Sequence, residues 1–137
     1  MPVSDWKAVH RGKVVGTSNF TWLFFSISGR ISRWVYFLAT MLLSVIAVIP
    51  LYKSMIAPLG SAEYEMWNMI FALVFLGSLW PHVALSVKRF HDFNREGYFA
   101  VTLFIPVLSI LAFLILCLYP GDPGANRYGR YTNAPQD

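Results

Sequence analysis

Three stretches of this chain carry no charged side chain: residues 34–52, 66–87 and 98–119. A helix rises ~1.5 Å per residue, so ~20 residues cover the ~30 Å hydrocarbon layer of a bilayer. Each stretch is long enough. Only helices or closed barrels satisfy their backbone polar groups in lipid, and these runs lack the period-two alternation of barrel strands. Ahead of them, in residues 14–28, Phe20, Leu23, Phe24 and Ile27 fall at i, i+3, i+4 and i+7, one face of a helix. That run is too short to span. With Thr17 or Ser18 as cap and Gly29 as stop, it predicts a helix lying in the interface, with Trp22 at headgroup depth. A loop packed on the bundle is the alternative. The pattern thus predicts one all-α membrane domain: three transmembrane helices preceded by a short interfacial amphipathic helix.

Polar and turn-forming residues punctuate this plan. Ser32 can cap the first span, with Trp34 and Tyr36 as interface aromatics at its entry and Pro50 near its far end. Pro58, Gly60 and Ser61 supply turn chemistry in the connection 53–65. Pro81 in the second span and Pro106 in the third each remove a helical hydrogen bond and predict kinks. Residues 120–137 hold Pro120, Gly121, Pro123 and Gly124, which cannot continue a helix. Tyr119, Tyr128 and Tyr131 suit the membrane interface, so this tail is expected to fold back on the bundle or headgroup layer, with Asn126 and Tyr128 in fixed contacts.

Composition agrees with the pattern. The 137 residues are 56% hydrophobic and only 13% charged, half the usual ~25%. A soluble domain of this size has too little interior to hide that apolar surface. No h-region with a small-x-small cleavage site follows Lys7, Arg11 and Lys13, so the first span itself is expected to direct insertion. The net charge of +4 needs no nucleic acid, because the basic residues flank the spans. Five Lys or Arg precede the first span, Lys53 follows it, Lys88, Arg89 and Arg95 follow the second, and Arg127 and Arg130 lie in the tail. With three spans, the positive-inside rule puts the N-terminus and the second connection in the cytoplasm of a multi-pass inner-membrane protein, and the tail outside.

Two polar clusters face the same predicted side: residues 28–33, with Arg30 and Arg33, and residues 88–97, with Lys88, Arg89, His91, Asp92, Arg95 and Glu96. Asp92 lies at i+4 from Lys88 and i+3 from Arg89, spacings that allow ion pairs on a continuing helix. Arg30 or Arg33 reaching Asp92 or Glu96 would instead pin two helices together. The clusters are read either as a belt of paired surface charges or as a site for an anionic headgroup or a partner's acidic group. His91-Asp92 resembles the pair used by metal hydrolases, but His10 and His82 do not converge with it, so neither a metal nor any other cofactor is expected. His82, Ser86 and Arg89, at i, i+4 and i+7, form a polar stripe inside the second span. It lines a cleft, or His82 donates to a carbonyl freed by Pro81. Cys117, the single cysteine, reads as packing.

At these clusters the chain resembles the small bacterial inner-membrane proteins of domain-of-unknown-function family 805. The family's Ser-Gly-Arg-x-Ser/Ala-Arg opening is matched by residues 28–33. Its Pro-x-x-Ala-x-x-x-Arg-Arg-x-His-Asp stretch is matched by residues 81–92, with Lys88 for the first arginine. Its Pro-Gly-x-x-Gly-x-Asn-x-Tyr-Gly tail is matched by residues 120–129. One departure is Glu96 in place of a small residue after His-Asp. The resemblance implies a membrane protein and no activity. The expected function is a non-catalytic accessory module that binds lipid, another membrane protein or a second copy of itself through its basic clusters. A small oligomeric transporter or channel built on the His82 stripe is the rival, and a membrane-embedded enzyme using His91-Asp92 the third reading.

Overall fold

The computed structural model describes residues 17–135. In order these form α1 (Thr17–Phe25), α2 (Arg33–Ile56), α3 (Ala62–Asp92), a 3-10 helix (Gly97–Phe104) and α4 (Pro106–Leu118). Lys7, His10, Arg11, Lys13, the 14–16 start of the amphipathic run and the side chains of Thr17 and Ser18, expected as caps, lie outside the described residues.

Local chemistry fixes the ends of the two long helices. Ser32 Oγ accepts from Val35 N at 3.4 Å and Ser61 Oγ from Tyr64 N at 3.1 Å, so each helix begins on a serine cap. Between them, residues 57–61 turn through Gly60 at φ +77°, a conformation that favours glycine. Glu63 and Glu65 in the first turn of α3 face the positive end of its dipole. At ~1.5 Å per residue α2 is about 36 Å long and α3 about 46 Å. Both exceed the ~30 Å hydrocarbon layer. Both helices run on through their interior prolines, Pro50 and Pro81. Thr40, Ser44, Ser54 and Ser78 return their hydroxyls to carbonyls three or four residues back, which keeps polar atoms satisfied inside each helix.

The helices pack through small side chains: Ala39, Thr40 and Ser54 of α2 and Ala84 and Ser86 of α3 are buried. Their large apolar side chains point outward, as with Leu38, Val45, Ile49, Met69, Leu73 and Leu76. Only 22% of the apolar window of each helix is buried within the molecule. A central helix of a water-soluble domain would be mostly hidden, so lipid must cover these faces.

The third apolar stretch departs from expectation. It does not form one span across residues 98–119 but breaks at Ile105 into an eight-residue 3-10 helix and the 13-residue α4. Pro106 occupies the first position of α4 and forces Ile105 into an extended conformation (φ −100°, ψ 114°), so the expected kink is a full break. Both ends of this hairpin lie against the C-terminal end of α3. Phe99 packs on Phe90 with ring centroids 6.0 Å apart, and Tyr119 on Phe93 at 5.3 Å. The tail therefore begins at the same end of α3 as the connection 93–96, not at the opposite end as three crossings required.

The amphipathic run also differs. Trp22, Leu23 and Phe24 pack against the core, while Phe20, Phe25 and Ile27 are exposed. The helix ends before Ile27, so the expected four-residue face does not form. The core itself is small: Ile31, Tyr36, Ala39, Leu85 and Leu116 join the loop after α1 to α2, α3 and α4. Leu85→Ala or Leu116→Ala should destabilise by about 2 kcal/mol or more, read as a lower unfolding midpoint in detergent. Leu73→Ala, on the lipid-facing side, should leave that midpoint within experimental error.

Candidate functional site

Helical periodicity sends successive residues about 100° apart around the axis, and at the end of α3 this distributes four polar side chains among different neighbours. Lys88 turns toward α1, where Nζ donates to the carbonyls of Trp22 (2.6 Å), Leu23 (2.5 Å) and Ser26 (2.7 Å) and sits 4.7 Å from the Trp22 ring. The last carbonyls of a helix lack intrahelical donors, and a cation there also meets the negative end of the dipole. Lys88 is thus the C-terminal cap of α1. Arg89 does the same for α4. Its Nε donates to Leu116 O at 2.7 Å and its Nη2 to Tyr119 O.

Asp92 faces the third direction. Its Oδ2 accepts from Arg89 Nη1 at 2.5 Å, and its Oδ1 from Arg30 Nε at 2.9 Å and more weakly from Thr132 Oγ1 at 3.4 Å. Arg30 spends its other two nitrogens on the tail carbonyls Gly124 O and Asp122 O, both at 2.6 Å. Arg30 is 2% exposed, Arg89 0% and Asp92 3%, so three charges are out of water together. Burial of that kind is tolerable only when every hydrogen-bonding group is met. Among the described residues no buried side-chain nitrogen or oxygen lacks a partner.

The tail wraps this clasp. Asp122 N donates to Asp92 O at 2.8 Å, and Asn126 Nδ2 donates to His91 O at 2.9 Å and to Asp122 Oδ2 at 3.2 Å. A Cβ on Gly121 would lie 1.7 Å from Asp92 Oδ2, so only glycine lets the backbone pass. The Tyr128 ring stacks on His91 at 3.8 Å, and its hydroxyl donates to Glu96 Oε2 at 3.2 Å. Desolvation, then that bond, pushes the Tyr128 phenol above its ordinary pKa. Arg127 Nη2 meets Glu96 Oε1 at 2.6 Å on the exposed rim. Farther along, Asn133 N donates to Arg30 O, and the Asn133 side chain accepts from Ser32 N at 2.7 Å and donates to Ser32 Oγ at 3.2 Å. The tail is tied to the start of α2 as well as to the end of α3.

The structure therefore brings Arg30, Lys88, Arg89, His91, Asp92, Asn126 and Tyr128 together. Of the pairings the spacing allowed, Arg89–Asp92 and Arg30–Asp92 form and the others do not. Lys88 meets carbonyls, not Asp92, and Glu96 pairs with Arg127 rather than with Arg30 or Arg33. Arg33 is exposed, with a long 3.4 Å approach to Leu118 O and the Trp34 ring 5.8 Å away. Arg95 is exposed and enters none of these bonds. His91 directs Nδ1 at Gly29 O, 3.0 Å away. No three His, Cys, Asp or Glu side chains converge on a point among the described residues. Gly121, Thr132 and Asn133 were missed. Gly121 carried a usable signal, because it stands in the Pro-Gly pair of the resemblance, whereas Thr132 and Asn133 lie beyond any motif.

His82 stands apart from the clasp. It lines a cavity of about 780 Å³ between α2, α3 and the hairpin, and its Nδ1 lies 2.8 Å from Ser78 O, four residues back. Ser86 Oγ donates to His82 O at 2.8 Å and contacts the Tyr36 hydroxyl at 3.2 Å. The stripe is broken at Arg89, which turns into the clasp.

The sequence model of the family described as "Protein of unknown function (DUF805)" matches residues 24–130. The chain is 29% identical over 102 residues to the inner membrane protein YhaI of Escherichia coli K12, covering 74% of this chain and 81% of that one. It is 35% identical over 57 residues to the inner membrane protein YhaH of the same strain, covering 42% of this chain and 44% of that one. No solved structure matches. The matched segment runs from α1 through the clasp into the tail.

Asp92→Asn leaves two buried guanidinium groups without a counter-charge and should destabilise by about 3–5 kcal/mol. Gly121→Ala should unseat the tail while sparing α2 and α3. The measurement is limited proteolysis of the purified protein beside its unfolding midpoint: early cleavage within residues 120–135 is expected for both variants, with wild-type resistance in Arg95→Ala.

Proposed function

We propose that this chain, which belongs to the DUF805 family of proteins of unknown function, is a non-catalytic inner-membrane module that crosses the bilayer twice and holds a re-entrant hairpin beside the two spans. The observation that carries this reading is the use to which the polar cluster is put. Both oxygens of Asp92 are occupied by arginines, and His91 is fixed between Gly29 O and the Tyr128 ring. Asp92 keeps no oxygen clear of an arginine from which to act as a general acid or base, and His91 commits Nδ1 to Gly29 O. Their work is to fasten α1, α4 and the tail to α3.

Two crossings also suit the charges better than three. Counted by segment, ten of the eleven Lys and Arg then lie on the side of the N-terminus, and Lys53 alone lies opposite. That asymmetry supports a cytoplasmic N-terminus and a cytoplasmic tail under the positive-inside rule. The exposed Phe20, Phe25 and Ile27 would rest at the membrane surface, which keeps α1 in the interfacial role expected of it. Arg30 and Arg89 are spent internally, so engagement of an anionic headgroup or an acidic partner falls to the exposed Arg33 and Arg95.

Reporter fusions at Gly60 and after Pro135 test the topology. A periplasmic signal at Gly60 and a cytoplasmic one at the C-terminus are expected, and a periplasmic C-terminus would restore three crossings and reject the re-entrant hairpin. The binding arm is read by lipid analysis of purified protein. Arg33→Ala with Arg95→Ala should lower the anionic share of co-purifying lipid, and an unchanged share removes these arginines from any binding role.

A further inference from the structure

The cavity beside His82 has the build of a ligand site. Its 780 Å³ falls within the ~300–1,000 Å³ typical of small-molecule sites, and its walls are mainly apolar with a few placed polar groups. Leu43, Ala47 and Leu51 of α2 face Phe71 and Phe75 of α3, with Phe113 of α4 closing one side. Along α2 the lining runs from Tyr36 to Leu51 and along α3 from Ser86 to Phe71, which is about 22 Å in each case at ~1.5 Å per residue. The ~30 Å hydrocarbon layer is shared by two leaflets, so one extended acyl chain fits that length.

The polarity is graded along the cavity. Tyr36, His82 and Ser86 gather at the end nearest the clasp, and the far end is walled by leucine and phenylalanine. The hydroxyls in the lining are already committed as donors: Ser44 to Thr40 O, Ser78 to Phe75 O, Ser86 to His82 O, Ser109 to Pro106 O and, with Ser86 so used, Tyr36 to Ser86 Oγ. His82 is different. Ser78 O can only accept, so Nδ1 is the donor in that 2.8 Å bond, and the neutral ring then presents Nε2 as an acceptor. Nε2 makes no hydrogen bond among the described residues, yet no fully hidden side-chain nitrogen there lacks a partner. Nε2 therefore keeps exposed surface on a residue that lines the cavity. An acceptor at one end of an apolar slot, reached sideways from lipid, selects a molecule with one donor and one long chain.

We infer that the cavity between α2, α3 and the hairpin binds a neutral, single-chain, hydroxyl-bearing amphiphile, its hydroxyl donating to His82 Nε2 and its chain lying along Leu43, Ala47 and Phe75. The site rests on the membrane-spanning reading of α2 and α3, whose failure the fusion at Gly60 reports separately. An anionic headgroup is disfavoured here, since no cationic side chain lines the cavity.

The test uses the full-length protein in lipid nanodiscs and a long-chain primary alcohol carrying a diazirine within its chain. Photolysis should label the segments around Phe75 and Phe113. The unlabelled alcohol should compete, and its methyl ether, which has no donor, should compete up to about tenfold less well, the worth of one hydrogen bond. Ala47→Trp should fill the slot and remove the label, and the competition arm needs no variant to fold. Equal competition by alcohol and ether would overturn the role of His82. Label spread over the lipid-facing Leu73 and Val107, or groove residues that cross-link to a second copy of the chain, would overturn the site. If Gly60 reports periplasmic while the label fails to localise, the site alone falls and the two-crossing module stands.

Discussion

Asp92 sits between two guanidinium groups at a point where none of the three reaches water, and the surrounding structure is shaped by the need to satisfy them. One carboxylate neutralises one arginine. The second positive charge must be met by dipoles, and these come from backbone carbonyls at the end of α4 and in the tail. A carbonyl is a useful partner only if the chain holds it in place. The charge cluster therefore dictates where α4 stops, where the tail turns and why Gly121 has no side chain.

Adjacent residues on one helix carry this out. Lys88 closes α1 and Arg89 closes α4, because neighbours on a helix point in different directions while sharing its rigidity. Each helix end gains the donors it lacks, and each cation gains acceptors it would otherwise seek in water. α3 thereby acts as a post to which α1, the hairpin and the tail are all attached at one end. Its length makes this geometry available. At about 46 Å it is longer than the ~30 Å hydrocarbon layer is thick.

The opposite wall of the molecule is built on different terms. Between α2 and α3 contact depends on small side chains, and the larger ones face lipid or the cavity. The break at Ile105–Pro106 keeps the hairpin short of the far end, which leaves the space beside Ala47 and Phe75 without a third full-length helix to fill it. The clasp and the cavity are thus two consequences of one broken segment: the first anchors both of its ends, and the second is what its limited reach leaves open.

Much of this was legible in the residues alone. The two long apolar runs, the serine cap at Ser32 and the membrane class follow from local rules, because lipid imposes length and polarity residue by residue. Arg30, Arg89 and Asp92 stood out because charges are scarce near the spans, and the i, i+3 spacing of Arg89 and Asp92 allowed one of the two pairs, as i, i+4 allowed a Lys88–Asp92 pair that does not form. The fate of the third apolar run was not legible. Its 22 uncharged residues pass every length test for a span, and Pro106 announces only a disturbance, since a proline is carried inside both α2 and α3 without ending them. Whether such a helix bends or turns back depends on what holds its two ends. Here those are Phe90 and Phe93 packing and the Arg89 cap, contacts between residues far apart in the chain. The sequence determined which segments could enter the membrane and which charges needed partners. Tertiary structure decided that this segment breaks and returns to the end of α3 from which it started, where carbonyls at the end of α4 meet Arg89 and tail carbonyls meet Arg30.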